Sequence, residues 1–150
     1  MKALASYLAD ARARVDAVLA TATIEDEVVR YSLLGEGKRL RPTLVFAAHD
    51  ALRGDGSSAA GVAELAAAVE VVHAYSLVHD DLPCMDDDDL RRGRPTAHRA
   101  FDVPRATRAG YEMVALAARV LEHGLATRQL PDRRARAIRL ELFRAAGAGG

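Results

Sequence analysis

The passage richest in reactive groups runs from His79 to Thr96 and reads His-Asp-Asp-Leu-Pro-Cys-Met-Asp-Asp-Asp-Asp-Leu-Arg-Arg-Gly-Arg-Pro-Thr. Six carboxylates fall within ten residues, and Arg91, Arg92 and Arg94 follow at once. For Asp87 to Asp89 a solvated charged face is as good a reading as a site. Asp80 and Asp81 differ because they close a long apolar segment. Adjacent carboxylates beside an apolar interior repel each other unless a cation or a proton intervenes. A hard divalent cation that keeps several waters, such as Mg2+, is the natural partner. Asp80 and Asp86 are six apart and would diverge on an ideal helix. Pro83 prevents regular continuation, and a two-residue bulge at Cys84-Met85 would return Asp86 to the place an i+4 residue holds. Arg91 and Arg92 are suited to bidentate contact with phosphate oxygens. The block reads as a site for a magnesium diphosphate.

A second cationic element is Gly35-Glu36-Gly37-Lys38-Arg39-Leu40-Arg41-Pro42. It is not a Walker A loop, because Arg39 stands where Ser or Thr is needed and no strand leads in. A basic helix entry is the plainer reading. With Pro42 at a helix start, exposed backbone amides together with Lys38, Arg39 and Arg41 could hold a second phosphate group. His73 shares a helical face with Asp80, although a histidine there is more often a satisfied core residue. His79-Asp80 also matches the His-Asp pair of metal phosphohydrolases, but His49, His73, His98 and His123 form no companion pattern.

These groups need elements to position them. Apolar residues recur with helical periodicity from Leu4 to Leu19. Thr23 before Glu25, Asp26 and Glu27 predicts an N-cap for a helix through about Leu34. A third helix is expected from Pro42, with Arg41 extended, to about Leu52. Arg53 to Ser58 reads as a surface loop. From Ala59 to Asp81 the chain is apolar nearly all round, which marks a buried central helix ending at Asp80 and Asp81. Helical patterns resume from Pro104 to His123 and from Asp132 to Ala146. No repeat or strand alternation is present, and 31 of the 150 residues are alanine, the best helix former. The fold class is all-α.

Composition removes several function classes. Twenty-one basic residues balance 21 acidic ones, against whole-surface capture of nucleic acid or anionic membrane. Cys84 is the single cysteine, so no internal disulfide framework exists, and a reducing cytoplasmic setting is expected. No stretch approaches the roughly 18 to 20 apolar residues of a membrane span. No signal-length apolar run opens the chain either. The Gly- and Ala-rich end at Ala145–Gly150 predicts that residues 1–150 form a single, incomplete domain.

Lys38-Arg39-Leu40-Arg41-Pro42, then His73 to His79, then Asp80 to Asp86 with Arg91-Arg92-Gly93-Arg94-Pro95-Thr96 resemble the N-terminal half of a trans-isoprenyl diphosphate synthase of the bacterial farnesyl diphosphate synthase type. The resemblance runs from about Glu27 to Phe101. It implies half of an isoprenoid-synthase helical bundle around a central cavity. The implied reaction is Mg2+-dependent condensation of isopentenyl diphosphate with an allylic diphosphate, through ionisation, attack by the double bond and proton loss. Asp80 and Asp86, supported by Asp81, would bind the Mg2+ ions that grip the allylic diphosphate, and Arg91 would contact that group. Lys38, Arg41, His73 and Arg92 would hold isopentenyl diphosphate. Tyr75, five residues before Asp80, combined with the Cys84-Met85 insertion implies a product stopped at fifteen carbons. Ideal helix geometry puts Ser76 nearer the face of Asp80, and Tyr75 reads equally well as core packing. The resemblance also implies a homodimer. The competing reading is a naturally short, non-catalytic homologue that binds or regulates a full-length synthase. The family's second aspartate-rich motif is absent from this sequence, and the stretch after Phe101 departs from the family's pattern.

Overall fold

The computed structural model describes residues 4–22, 25–35, 37–53 and 59–147. In chain order the elements are α1 (Leu4–Thr21), α2 (Glu27–Leu33), α3 (Leu40–Arg53), α4 (Val62–Asp80), β1 (Leu90–Arg91), β2 (Arg94–Pro95), α5 (Ala97–Ala100), α6 (Val103–Arg128) and α7 (Asp132–Ala146). The chain is all-α apart from one feature that the sequence reading missed. β1 and β2 form a two-stranded antiparallel hairpin, with Arg91 opposite Arg94 and Gly93 at φ +77° in its turn.

α4 is the centre of the bundle. It packs most extensively on α6 and is flanked by α1, α2 and α3. Ala66, Ala67, Ala68 and Val71 are fully buried along it. By length and composition α4 matches a membrane span, against the expectation that no stretch comes near one. Its place inside the bundle explains the composition: a helix covered on several sides has no need of a polar face. Other core side chains include Val15 and Leu19 of α1, Val28 and Leu33 of α2, Phe46 of α3, and Met113 and Leu121 of α6.

Four boundaries differ from expectation. α2 is capped by Asp26, whose extended backbone lets the carboxylate accept from the amides of Val28 and Val29 at 2.8 and 3.0 Å. The expected cap, Thr23, lies outside the described residues. α3 begins at Leu40, so Arg41 is helical although a proline follows it. Pro42 in a first turn is tolerated because its missing amide would have had no partner there. Arg53 belongs to α3, and the rest of the expected surface loop lies outside the described residues. α6 continues through Gly124 to Arg128 rather than stopping at His123. Gly124 is a packing position: a Cβ there would meet Glu64 Cβ at 2.8 Å and the Gly61 carbonyl oxygen at 2.9 Å, where the start of α4 crosses α6.

Candidate active site

The end of α4 and the loop after it are built from backbone bonds. The Asp86 amide donates to the Asp80 carbonyl at 2.8 Å. In an uninterrupted helix that carbonyl would serve the residue four positions on. The two extra residues, Cys84 and Met85, are exposed. Leu82, 5% exposed, anchors the loop in the core, and its carbonyl accepts from the amides of Met85 and Asp87. Asp87 then turns the chain away with φ +53°, a left-handed conformation that aspartate tolerates better than most residues.

The six carboxylates separate into two groups. Asp81 is 3% exposed and accepts from Arg91 Nε with both oxygens at 2.9 Å. Arg91 Nη2 also lies 3.6 Å from Asp88. The hydrogen bond to Asp81 holds the Arg91 guanidinium above its ordinary pKa. Arg99 of α5 pairs Asp89 at 2.5 Å and reaches Asp87 at 3.7 Å. Thr96 closes the loop: its hydroxyl donates to the Asp88 carbonyl at 2.7 Å and its amide to that of Asp89 at 3.0 Å. Among the described residues, Asp80 and Asp86 are the members of the block with no ion-pairing partner. They are also the two whose backbones the bulge ties together.

Beside this loop is a cavity of about 370 Å³. His73, Leu77 and Asp81 of α4 form one wall, and Arg91, Arg92 and Arg94 around the hairpin form another. Tyr31 fixes the hairpin over it, donating from its hydroxyl to the Pro95 carbonyl at 2.7 Å and lying under the Arg94 guanidinium at 4.4 Å. Arg41 Nη1 donates to His73 Nε2 at 3.1 Å, which needs that nitrogen unprotonated. Burial first, and then the Arg41 charge, push the His73 pKa down. The cavity joins apolar surface from Ala74, Leu77 and Val78 to the arginines around the hairpin, with Glu70 and Asp81 also lining it. Apolar surface beside guanidiniums suits an anionic head group on a short hydrocarbon.

His73, Arg91, Arg92 and Asp81 thus meet at one cavity, with Arg41 attached through His73. Of the other expected residues, Arg39 also lines it, beside Glu70, whereas Asp80 and Asp86 are not among its lining residues. Arg39, expected to hold a phosphate, is 6% exposed. It donates to Glu70 at 2.8 Å, Asp16 at 2.9 Å and the Leu33 carbonyl at 2.8 Å, so its donors are committed within the core. Arg91, expected to contact a diphosphate, is committed to Asp81. Lys38 is exposed and does not line the cavity. Tyr75 and Ser76 do not line it either. Tyr75 stands edge-on to His79, ring centroids 5.0 Å apart, and Ser76 returns its hydroxyl to the His73 carbonyl at 2.9 Å. His79 turns to α6, where Nε2 meets the Thr107 carbonyl at 3.0 Å. Arg99, Arg94 and Thr96 escaped the sequence reading as organisers. Arg94 and Thr96 stood in the quoted motif, whereas a four-residue helix gives Arg99 no periodic signal.

Among the described residues no three His, Cys, Asp or Glu side chains converge on a metal position. Mg2+ does not require three, because it is usually held through one or two carboxylates and completes its shell with waters and phosphate oxygens. Asp80 and Asp86 are hard oxygen donors not tied up by arginine and fit that requirement. Asp81, buried against Arg91, does not.

The Polyprenyl synthetase family model matches residues 23–142. A chloroplastic geranylgeranyl pyrophosphate synthase of Arabidopsis thaliana is 47% identical over 127 residues, covering 83% of this chain and 34% of the plant protein. The farnesyl diphosphate synthase of Bacillus subtilis is 38% identical over 154 residues, covering 98% of this chain and 51% of that one. A crystal structure of an FPP/GFPP synthase from Zymomonas mobilis superposes with a TM-score of 0.86 at 35% identity, covering 98% of this chain and 54% of its own. The chain therefore spans a third to a half of the length of these relatives, and the relatives differ in the product length their names give. On the match to residues 23–142 and on these likenesses, the chain belongs to the polyprenyl synthetase family.

Proposed function

We propose that this chain supplies the diphosphate-gripping wall of a prenyltransferase that joins isopentenyl diphosphate to an allylic diphosphate. The observation that carries this reading is the separation of the carboxylates: among the described residues Asp80 and Asp86 have no ion-pair partner, and Asp81, next to Asp80, lines a cavity that also presents His73, Arg91, Arg92 and Arg94. Asp80 and Asp86 would hold Mg2+, which when bound supplies neutralising charge for a departing diphosphate. Arg92 and Arg94 offer guanidiniums to phosphate oxygens. Arg41 orients His73 through its hydrogen bond, and burial together with the Arg41 charge disfavours the protonated ring. Leu77 and Val78 furnish apolar wall for a hydrocarbon chain and exclude water from it. Arg91 acts indirectly by holding Asp81 and the hairpin in place. A fifteen-carbon product is the narrower part of the proposal and rests on Tyr75 together with the Cys84-Met85 insertion.

Titration calorimetry with inorganic pyrophosphate, with and without Mg2+, tests the reading. Mg2+-dependent binding is expected for the native chain and should be lost in Asp80→Ala with helicity by circular dichroism unchanged. Equal binding by the variant would remove Asp80 from the metal role. Turnover of radiolabelled isopentenyl diphosphate by the gene product, with chromatography of the products, reads the chain length.

A further inference from the structure

The loop presents more carboxylates than a cation site on Asp80 and Asp86 needs. Asp87 and Asp89 follow directly, stand 58% and 69% exposed at the side chain, and would compete for the same hard cations. The residue that meets both is Arg99. Its Nε lies 2.5 Å from Asp89 Oδ1 and its Nη2 lies 3.7 Å from Asp87 Oδ1. α5 carries it to that position, with Thr96 binding the carbonyls of Asp88 and Asp89 and His98 Nδ1 3.2 Å from the Thr96 hydroxyl. The guanidinium therefore faces both carboxylates from a platform bonded to the loop's own backbone.

We propose that Arg99 is a positioning residue that reserves divalent-cation binding to Asp80 and Asp86 by acting as the internal counter-ion of Asp87 and Asp89. This inference rests on the metal reading above. Exposed pairs of this kind contribute little to stability, so their effect lies in occupancy. Removing the Arg99 charge leaves two exposed carboxylates, Asp87 and Asp89, without their shared counter-ion, and their repulsion then favours capture of a cation.

The test counts Mn2+, a spectroscopic stand-in for Mg2+, by electron paramagnetic resonance on the chain without substrate. Arg99→Gln should bind one more Mn2+ than the native chain. Arg99→Lys, which keeps a cation in place, should restore the native count. The additional ion should vanish when Asp87→Asn and Asp89→Asn are added to Arg99→Gln. A count unchanged in Arg99→Gln overturns the proposal, as does an extra ion that survives the asparagine substitutions. Failure of the underlying metal reading has a different signature: Asp80→Asn would then leave the native Mn2+ count unaltered, whatever Arg99→Gln does.

Discussion

Two regions around α4 use the same pairing of guanidinium with carboxylate to opposite ends. Under the helix, Arg39 and Glu70 are 6% and 7% exposed at the side chain, and Arg39 ties together α1, α2 and α4. Burial works against the Arg39 charge, but its hydrogen bonds to Glu70 and Asp16 outweigh that and leave its pKa raised. At the end of the helix, Arg99 and Asp89 are 49% and 69% exposed, so water competes with the pair. A buried guanidinium is held because its partners have nowhere else to go. An exposed one can be displaced, and the carboxylates that no arginine occupies remain for other cations. Environment, more than residue type, separates scaffold from site here.

The contrast can be broken most forcefully at Glu70. Glu70→Ala leaves Arg39 charged and buried, and a loss of about 3–5 kcal/mol in urea unfolding is expected; a loss below ~1 kcal/mol would place this pair with the exposed ones. Next comes the packing between α4 and α6. A Cβ at Gly110 would lie 2.0 Å from His79 Nε2, so Gly110→Ala should cost about 1–3 kcal/mol. Adding His79→Ala should recover part of that loss, and no recovery would place the clash elsewhere. Asp81→Asn straddles the two regions, because Asp81 is buried while Arg91 is 33% exposed. A cost of about 1–2 kcal/mol is expected, with faster amide exchange across Leu90–Pro95; protection unchanged there would sever the hairpin from Asp81. The smallest effect is a pH dependence. His73 titrates below its ordinary 6.5 in the folded chain, so as pH falls through 6.5 the unfolded chain takes up the proton first and stability declines. The decline should end below the folded value, and His73→Gln should flatten it when urea midpoints are followed across acid pH.

Much of the site was legible because it depends on local rules. The central helix could be read from its apolar surround, and its end from the paired acids. The bulge followed from Pro83 and the spacing of Asp80 and Asp86, and the Asp86–Asp80 backbone bond is its realisation. What escaped the sequence was set by tertiary contact. Arg39 sits in a basic run identical in character to Lys38 and Arg41, and only the approach of Glu70 and Asp16 from other helices buries it. Asp26 and Thr23 are both competent caps, and the choice depends on where the chain enters the bundle. Gly124 carries a helix-stop signal that packing against Glu64 overrides. The hairpin at Leu90–Pro95 is too short for any alternation to register.

The ring closed between the Asp80 carbonyl and the Asp86 amide makes the gap between these acids quantised. Cys84 and Met85 form an exposed detour whose entry and exit are already joined, so excising both would leave the helical phase intact. Removing one alone would leave a five-residue spacing, which on a continued helix points the second acid about 100° away from the i+4 position. Loss of Cys84 and Met85 together should therefore disturb the pair less than loss of either alone.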